Sequence, residues 1–282
     1  MAQSSQPEVR LDALSPAEMA TKAEASGIAK LAKPTAQLLV LAVLAGAYIS
    51  LGGIFYTTVV AGTGALPYGV KRLLGGVAFC LGLILVVVGG AELFTGNNLL
   101  AMAWADRKIS TVELLRNWII VCTGNFIGAA GLALLVFLSH HADMNNGAVA
   151  QEYVRIAAAK VALPFWTAFF KGMLCNVLVC MAVWMALAGR SVVDKAVAIV
   201  FPISAFVAAG FEHSVANMYF IPLAMLLQTF GDAGAPAAAV TWSGFFGNLG
   251  PVILGNIIGG SVLVGLVYHI IYRREPGQDG GT

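Results

Sequence analysis

The chain has 282 residues, of which 59% are hydrophobic and 11% are charged, and its formal net charge is +2. Soluble domains carry about 25% charged residues, so this composition excludes an ordinary soluble protein and indicates a lipid bilayer as partner. The small net charge argues against nucleic acid as a partner. The cysteines lie in apolar stretches without the spacing of a disulfide framework or a zinc site, so we predict no metal and no cofactor: they are Cys80, Cys122, Cys175 and Cys180.

Residues 1–33 are polar and charged throughout, so they lack the apolar core of a secretory signal peptide. Ser15 and Glu18 form a capping box with proline at the first helical position, which predicts a helix start. Apolar residues then recur on one face, namely Met19, Ala23, Ile28 and Leu31. We expect an amphipathic helix lying on the membrane or on a neighbouring subunit, with a frayed polar tail as the alternative.

Six apolar segments follow, each near the roughly 20 residues that a spanning helix needs. They are Thr35–Ala61, Val70–Trp104, Asn117–Ser139, Lys160 or Ala162 to Ala188, Ala196–Gln228 and Asn248–Tyr272. The second and fifth are too long for one straight span, which predicts a discontinuous helix in each. The predicted organisation is a cytoplasmic N-terminal segment (1–33), a six-helix transmembrane domain (34–273) and a cytoplasmic tail (274–282).

Lysine and arginine placement predicts that both termini are cytoplasmic. With the N-terminus inside, the inner regions hold Arg10, Lys22, Lys30, Lys33, Arg107, Lys108, Arg116, Arg190, Lys195, Arg273 and Arg274. The outer regions then hold only Lys71, Arg72, Arg155 and Lys160. Lys171 lies within the fourth segment and does not enter this comparison.

The two long segments carry the same polar pattern, G-x-E-x-x-x-x-N, at Gly90–Asn97 and at Gly210–Asn217. A second match joins Gly124-Asn125 in the third segment to Gly255-Asn256 in the sixth. Segments one to three therefore resemble segments four to six, and an odd number of spans inverts the second copy. We predict an all-α membrane protein of two inverted three-helix repeats, with broken helices two and five.

Each break is expected to expose a helix N-terminus with free N–H groups, and two such ends facing one lumen favour a small anion. Thr95, Ser214 and nearby asparagines can donate hydrogen bonds to it. Glu92 and Glu212 would repel an anion, so we expect them to cap backbone N–H groups or to pair with a cation. His213 lies mid-segment beside a break, where an ionisable residue indicates a functional role.

Several stretches resemble the formate/nitrite transporter family: Ala91–Thr95, Cys175–Trp184, Gly189–Ser191, Phe211–Met218 and Gly255–Gly260. The resemblance implies a homopentamer of aquaporin-like protomers in the bacterial inner membrane, each with its own pore. It implies a substrate pathway of His213, Thr95, Asn176 and Lys160. It also implies apolar constrictions at Phe79, Leu83, Leu93, Val179 and Phe206, with one ring near Phe79 and another near Leu83 and Phe206. Structural polar roles at the breaks fall to Glu92, Glu212, Asn97, Asn217, Asn125 and Asn256, whereas Lys171 has no counterpart in the family's pattern.

The expected function is passage of small monovalent anions of weak acids, most readily formate, with nitrite, hydrosulfide, lactate and acetate as alternatives. Either a proton supplied through His213 lets the species cross as a neutral acid, or the anion crosses held by Thr95, Asn176 and His213. Three other classes compete. An aquaporin would carry Asn-Pro-Ala at both breaks, an ammonium channel would place paired histidines in the lumen, and a zinc enzyme would need a ligand cluster such as H-E-x-x-H.

Overall fold

The protein was analysed as a computed structural model that describes residues 13–64, 66–231 and 239–273. The predicted tail at 274–282 and the first twelve residues lie outside this range. Within it, the structure is helical, with α1 Pro16–Leu31, α2 Thr35–Val60, α3 Tyr68–Gly89, α4 Ala101–Ala105, α5 Thr111–Leu138, α6 Ala148–Val161, α7 Phe165–Ala188, α8 Val192–Ala209, α9 Ser214–Phe230, α10 Trp242–Ile257 and α11 Val267–Tyr272. A π-helix, Ile258–Leu266, joins α10 to α11.

Among the described residues, six helices are long and apolar enough to cross a membrane, as predicted. Two of them, α5 and α8, start earlier than the hydropathy estimate because polar caps set their starts. Ser110 accepts from the Glu113 N–H and so starts α5 before Asn117. A capping box of Ser191 and Asp194 likewise starts α8 earlier than expected.

Both long segments are interrupted at a glycine in the left-handed region. α3 ends before Gly90 (φ 76°) and α8 ends before Gly210 (φ 74°), a conformation that L-residues with side chains rarely adopt. After the second break the chain resumes as α9. After the first it forms only a 3₁₀ turn, Gly96–Leu100, and the short α4, so the expected α-helical N-terminus at that break is wrong.

Side chains from neighbouring elements explain the irregular first break. The Trp118 indole donates to the Asn97 carbonyl at 3.0 Å, and Ser261 donates to the Asn98 carbonyl at 3.2 Å. Asn98 in turn donates from its side chain to the Phe94 carbonyl. These bonds occupy carbonyls that an α-helix would otherwise use, which lets the chain stay irregular inside an apolar bundle.

Helix pairs in the first half recur in the second. α2 packs on α3 and α5, while α7 packs on α8 and α10, and the halves meet where α3 packs on α8 and α5 on α9. Glycines allow the closest of these approaches. A Cβ on Gly128 would collide with the Val43 carbonyl of α2, and one on Gly255 would collide with the Phe169 carbonyl of α7.

The helix α1 packs on its own protomer. Ala20 and Ala23 are buried against Met102 and Trp184, whereas Ile28, expected on the apolar face, is 38% exposed. Met19 and Leu31 are partly buried against the same part of the protein, so most of the predicted apolar face does make the contact. The surface that this face covers is its own channel domain, whereas the sequence predicts the membrane or a neighbouring subunit.

A charged cluster fastens α1 to the end of α11 and to the turn before α5. The Glu24 carboxylate is 4% exposed and lies 2.8 Å from Arg273, and it also pairs with Lys108. Asp106 pairs with His269 at 3.1 Å. Burial opposes ionisation of Asp106, but hydrogen bonding to Glu24 and the charges of His269, Lys108 and Arg273 hold its pKa below the ordinary value. Its contribution to stability is therefore present above the ordinary aspartate range and is lost only as pH falls below that range.

We expect Gly128→Ala to lower the free energy of unfolding by about 1–3 kcal/mol, because the added methyl group must push α2 away from α5. Gly131→Ala is the matched control on the same helix, since its Cβ would meet no atom within 4 Å. Unfolding in detergent, followed by loss of monodispersity on heating, compares the two. Equal stabilities would show that α2 and α5 are not packed as closely as described.

We expect Glu24→Gln to release α1, because it removes the buried charge that Lys108 and Arg273 share; breaking such a pair costs about 3 kcal/mol or more. Limited trypsin cleavage after Lys22 should then accelerate severalfold. The control is Asp143→Asn, whose ion pair with His140 is largely exposed, with side chains 73% and 81% accessible. Unchanged cleavage in Glu24→Gln would exclude the cluster as the fastening of α1.

Candidate functional site: two vestibules separated by an apolar barrier

Two cavities approach the two breaks from different sides. The first, here the Lys160 vestibule, has a volume of about 320 Å³ and reaches Phe79, Phe206 and His213. Its other charged lining residues are Arg72, Arg155, Lys160, Lys171 and Glu212. The second, here the Lys30 vestibule, measures about 390 Å³ and reaches Leu83 and Leu93, with Lys30, Lys33 and Glu92 as its charged lining residues.

Apolar side chains separate the vestibules. Phe79 and Phe206 pack edge to face with ring centroids 5.8 Å apart, and both line the Lys160 vestibule. Leu83 and Leu93 face the Lys30 vestibule instead. The structure therefore groups Phe206 with Phe79, not with Leu83 as expected. Val179 is 1% exposed and lines neither vestibule.

The two breaks bring His213 and Thr95 together beside this barrier: His213 lines the Lys160 vestibule, whereas Thr95 is fully buried and lines neither vestibule. The Nε2 atom of His213 lies 3.0 Å from the Thr95 hydroxyl. Its Nδ1 atom accepts the Ala216 N–H at 3.2 Å and so caps α9. Because Nδ1 accepts, the proton of the neutral ring is on Nε2, and the ring donates to Thr95. The Thr95 hydroxyl keeps its own proton for another acceptor.

Asn176 holds the first break in place. Its Nδ2 lies within hydrogen-bond distance of the Asn98 side chain at 2.8 Å, the Asn256 carbonyl at 2.7 Å and the Thr95 carbonyl at 3.2 Å. The residue is fully buried, and its Oδ1 has no hydrogen-bond partner among the described residues. The amide thus fixes the backbone beneath Thr95, and its one free group is an acceptor.

Two buried asparagines bracket the breaks in the same way. Asn125 accepts the Phe94 N–H at 2.8 Å and donates to the Glu92 and Ala42 carbonyls. In the second half Asn256 accepts the Ser214 N–H at 3.0 Å and donates to the Glu212 and Gly172 carbonyls. Each amide thereby satisfies three backbone groups that would otherwise be unpaired at membrane depth.

A carboxylate at each break pairs with lysine, one of the two roles expected for it. Glu212 lies 3.1 Å from Lys160, and Glu92 lies 3.2 Å from Lys30 and 2.8 Å from Lys33. Each carboxylate also accepts from the asparagine five residues on, at 3.0 Å for Asn97 and at 2.7 Å for the corresponding residue, Asn217. These asparagines are therefore occupied by the scaffold and are not free donors for an anion.

The site residues predicted from the sequence do not include Lys30, Lys33, Asn117 or Asn248. Lys30 precedes Pro34 by the same interval as Lys160 precedes Pro164, and this repeat would have identified it. Asn117 and Asn248 accept from Asn97 and Asn217, respectively, and form the outermost contact of each polar cluster. Their local sequences carry no distinguishing pattern, so only the packing of α5 and α10 reveals them. Among the described residues, no group of three or more histidine, cysteine or carboxylate side chains could hold a metal ion.

We expect Asn256→Leu to destabilise the protein by about 3 kcal/mol or more, because three buried backbone groups lose a partner of similar size. Ser139→Ala is the control, since it removes only a bond from Ser139 to Val136 in its own helix end. The fraction that stays monodisperse after graded heating in detergent measures the difference. Similar heat resistance in the two variants would exclude the bracketing role.

Comparison with known proteins shows which family the chain resembles along most of its length. The family model described as "Formate/nitrite transporter" matches residues 17–270. The formate channel FocA of Escherichia coli K12 is 43% identical, with 94% of this chain and 96% of that protein covered. A probable formate transporter of Methanothermobacter thermautotrophicus is 39% identical, covering 93% and 98%.

The solved structure titled "Pentameric formate channel with formate bound" is 40% identical, has a TM-score of 0.79 and covers 85% of this chain and 98% of its own. A structure titled "FNT family ion channel" is 32% identical at the same TM-score of 0.79, covering 90% and 98%. With two vestibules that approach two interrupted helices from different sides, and with this similarity along nearly its whole length, the chain belongs to the formate/nitrite transporter family.

Proposed function

We propose that the protein is a membrane channel for small monovalent anions and that formate is its substrate. The observation that carries the proposal is the constriction between two basic vestibules, where His213 donates to Thr95 and leaves the Thr95 hydroxyl proton free. The similar proteins named above are channels and transporters for formate, which supports formate over nitrite, lactate or acetate and argues against an enzyme.

Lysines draw the anion into each vestibule. Lys160 is 15% exposed on one side, and Lys30 is 30% exposed on the other. Each lysine is paired with a carboxylate at a break, so its attraction for an approaching anion is reduced but not abolished. A reduced attraction suits a channel, because binding must be favourable enough for entry and weak enough for release.

The barrier sets the chemical problem. An unpaired anion that enters a layer of phenylalanine and leucine loses its hydration, and the cost reaches several kcal/mol. In the first of two routes, the Thr95 hydroxyl donates to the anion while His213 Nε2–H donates to Thr95. In the second, a proton joins the formate and a neutral acid crosses. If His213 itself supplies that proton, Nδ1 must be protonated, and the cap on Ala216 must break.

The relatives support a proposal for the assembly, and the distribution of basic residues supports one for the orientation. We infer a homopentamer, because the similar structure is titled as a pentamer. We also place the chain in the bacterial inner membrane, with both termini cytoplasmic and the Lys30 vestibule facing the cytoplasm. Lysine and arginine placement supports this orientation. In this arrangement residues 1–33 are the cytoplasmic N-terminal segment, residues 34–273 the transmembrane domain and residues 274–282 a cytoplasmic tail.

Neutral-solute channels remain the competing class. An aquaporin has a comparable protomer, but neither break here contains proline. In the described structure, lysine lines both vestibules, and arginine lines the Lys160 vestibule as well. That charge suits an anion and adds nothing to the passage of water or glycerol.

His213→Asn should separate the two routes. Asparagine is a strong N-cap, so α9 should still start correctly, whereas the titratable ring and its bond to Thr95 are lost. Formate flux into liposomes should fall about tenfold, as expected for the loss of one hydrogen bond worth about 1.4 kcal/mol. Its pH dependence should also disappear, with proton-coupled uptake falling more than passive anion flux.

The control for His213→Asn is His140→Asn, whose side chain is 81% exposed. This variant should match the wild type in flux and pH response. If His213→Asn also retained wild-type flux and pH response for formate, His213 would be a structural cap, and neither route could pass through it.

A further inference from the structure

The Lys160 vestibule contains four basic side chains, and three of them are already engaged. Arg155 pairs with Glu152 at 2.6 Å, and Lys160 pairs with Glu212 at 3.1 Å. Arg72 donates to the Ala208 carbonyl at 2.8 Å, at the negative end of α8. The charges of these groups are therefore partly compensated before any anion arrives.

Lys171 is the fourth, and its ammonium has no ion pair or hydrogen bond with any residue between 13 and 273 that the structure describes. It is partly buried and lies on α7, one residue before Gly172, whose carbonyl is held by the Asn256 bracket. Its backbone is thus held by the break itself. An uncompensated cation in a cavity that ends at an apolar barrier concentrates anions there.

Comparison of the two halves shows that this charge is an addition to the repeat. The Lys171 carbonyl accepts the Glu212 N–H at 3.2 Å, and in the first half the Leu41 carbonyl accepts the Glu92 N–H at 3.1 Å. Lys171 and Leu41 therefore occupy equivalent backbone positions. Since leucine serves the backbone contact equally well, the scaffold does not require a lysine at this place.

We propose that Lys171 is the first anion-binding group of the Lys160 vestibule and sets the concentration at which a small monocarboxylate enters from that side. This inference rests on the proposed function. Lys171 acts before the barrier, so it changes how readily the anion is captured and leaves the crossing step at His213 and Thr95 unchanged. Its effect is electrostatic and weakens with salt, because the Debye length is about 10 Å at 0.1 M.

The test is uptake of radiolabelled formate into liposomes. Protease treatment first inactivates the copies of opposite orientation, so that the active copies have the Lys160 vestibule facing the added formate. Lys171→Met should raise the half-saturating formate concentration about threefold, the value for one charge near 6 Å in water. Lys171→Glu should raise it about tenfold, and Lys171→Arg should leave it unchanged. Maximal flux should stay at the wild-type value in all three, and the salt dependence should flatten in Lys171→Met.

The matched control is Lys71→Met. Lys71 lies at the same end of α3 as Arg72 but does not line the vestibule, so its loss should leave half-saturation unchanged. Formate added from the Lys30 side is the second control, because Lys171 should not affect entry from there. Wild-type half-saturation in both Lys171→Met and Lys171→Glu would overturn this inference alone. No formate uptake by the wild-type protein above that of empty liposomes would overturn the proposed function together with it.

Discussion

The structure depends on satisfying polar backbone groups in the middle of an apolar bundle. Two helices stop at Gly90 and Gly210, and each stop releases N–H and carbonyl groups where lipid-facing protein offers no water. Asn125 and Asn256 take up these groups from neighbouring helices. Without such partners each break would cost several kcal/mol, and a continuous helix without a pathway would be favoured.

The same constraint explains the buried charges. Glu92 and Glu212 are 2% and 5% exposed, a burial that a lone carboxylate could not sustain. They pair with Lys30 at the end of α1, Lys33 in the turn before α2 and Lys160 at the end of α6, so lysines that line the vestibules also stabilise the breaks. A single polar cluster in each half thus holds the backbone and moderates the vestibule's field. Substitutions in these clusters therefore affect folding and transport together.

The two halves solve this problem in nearly the same way but differ in detail. Lys33 adds a second cation to Glu92, and Lys171 adds an uncompensated one near Glu212. The first break continues as a 3₁₀ turn, whereas the second starts α9 under the His213 cap. These differences make the duplicated scaffold asymmetric, with the histidine contributed by one half and the threonine by the other.

Much of this could be predicted from the amino-acid sequence, because membrane insertion leaves a strong and simple signal. Apolar length determined six spans, and glycine, glutamate and asparagine in an apolar run determined where two of them break. A second repeated match marked Asn125 and Asn256, and similarity to a family pointed to His213 and Thr95. These features are local, since hydropathy and polar interruptions are properties of a short stretch of chain.

Only the tertiary structure decided what each polar group contacts. Phe206 joins Phe79 because α8 packs on α3, and α1 docks through Ala20 and Ala23 because Glu24 is fastened by Arg273 at the far end of the chain. Such contacts join residues distant in sequence, and no local pattern records them. The starts of α5 and α8 and the irregular first break depend on side-chain hydrogen bonds, which hydropathy does not detect. The unpaired charge of Lys171 likewise cannot be recognised from the sequence. Which basic residues have a carboxylate partner is decided only when the helices that line the vestibule pack together.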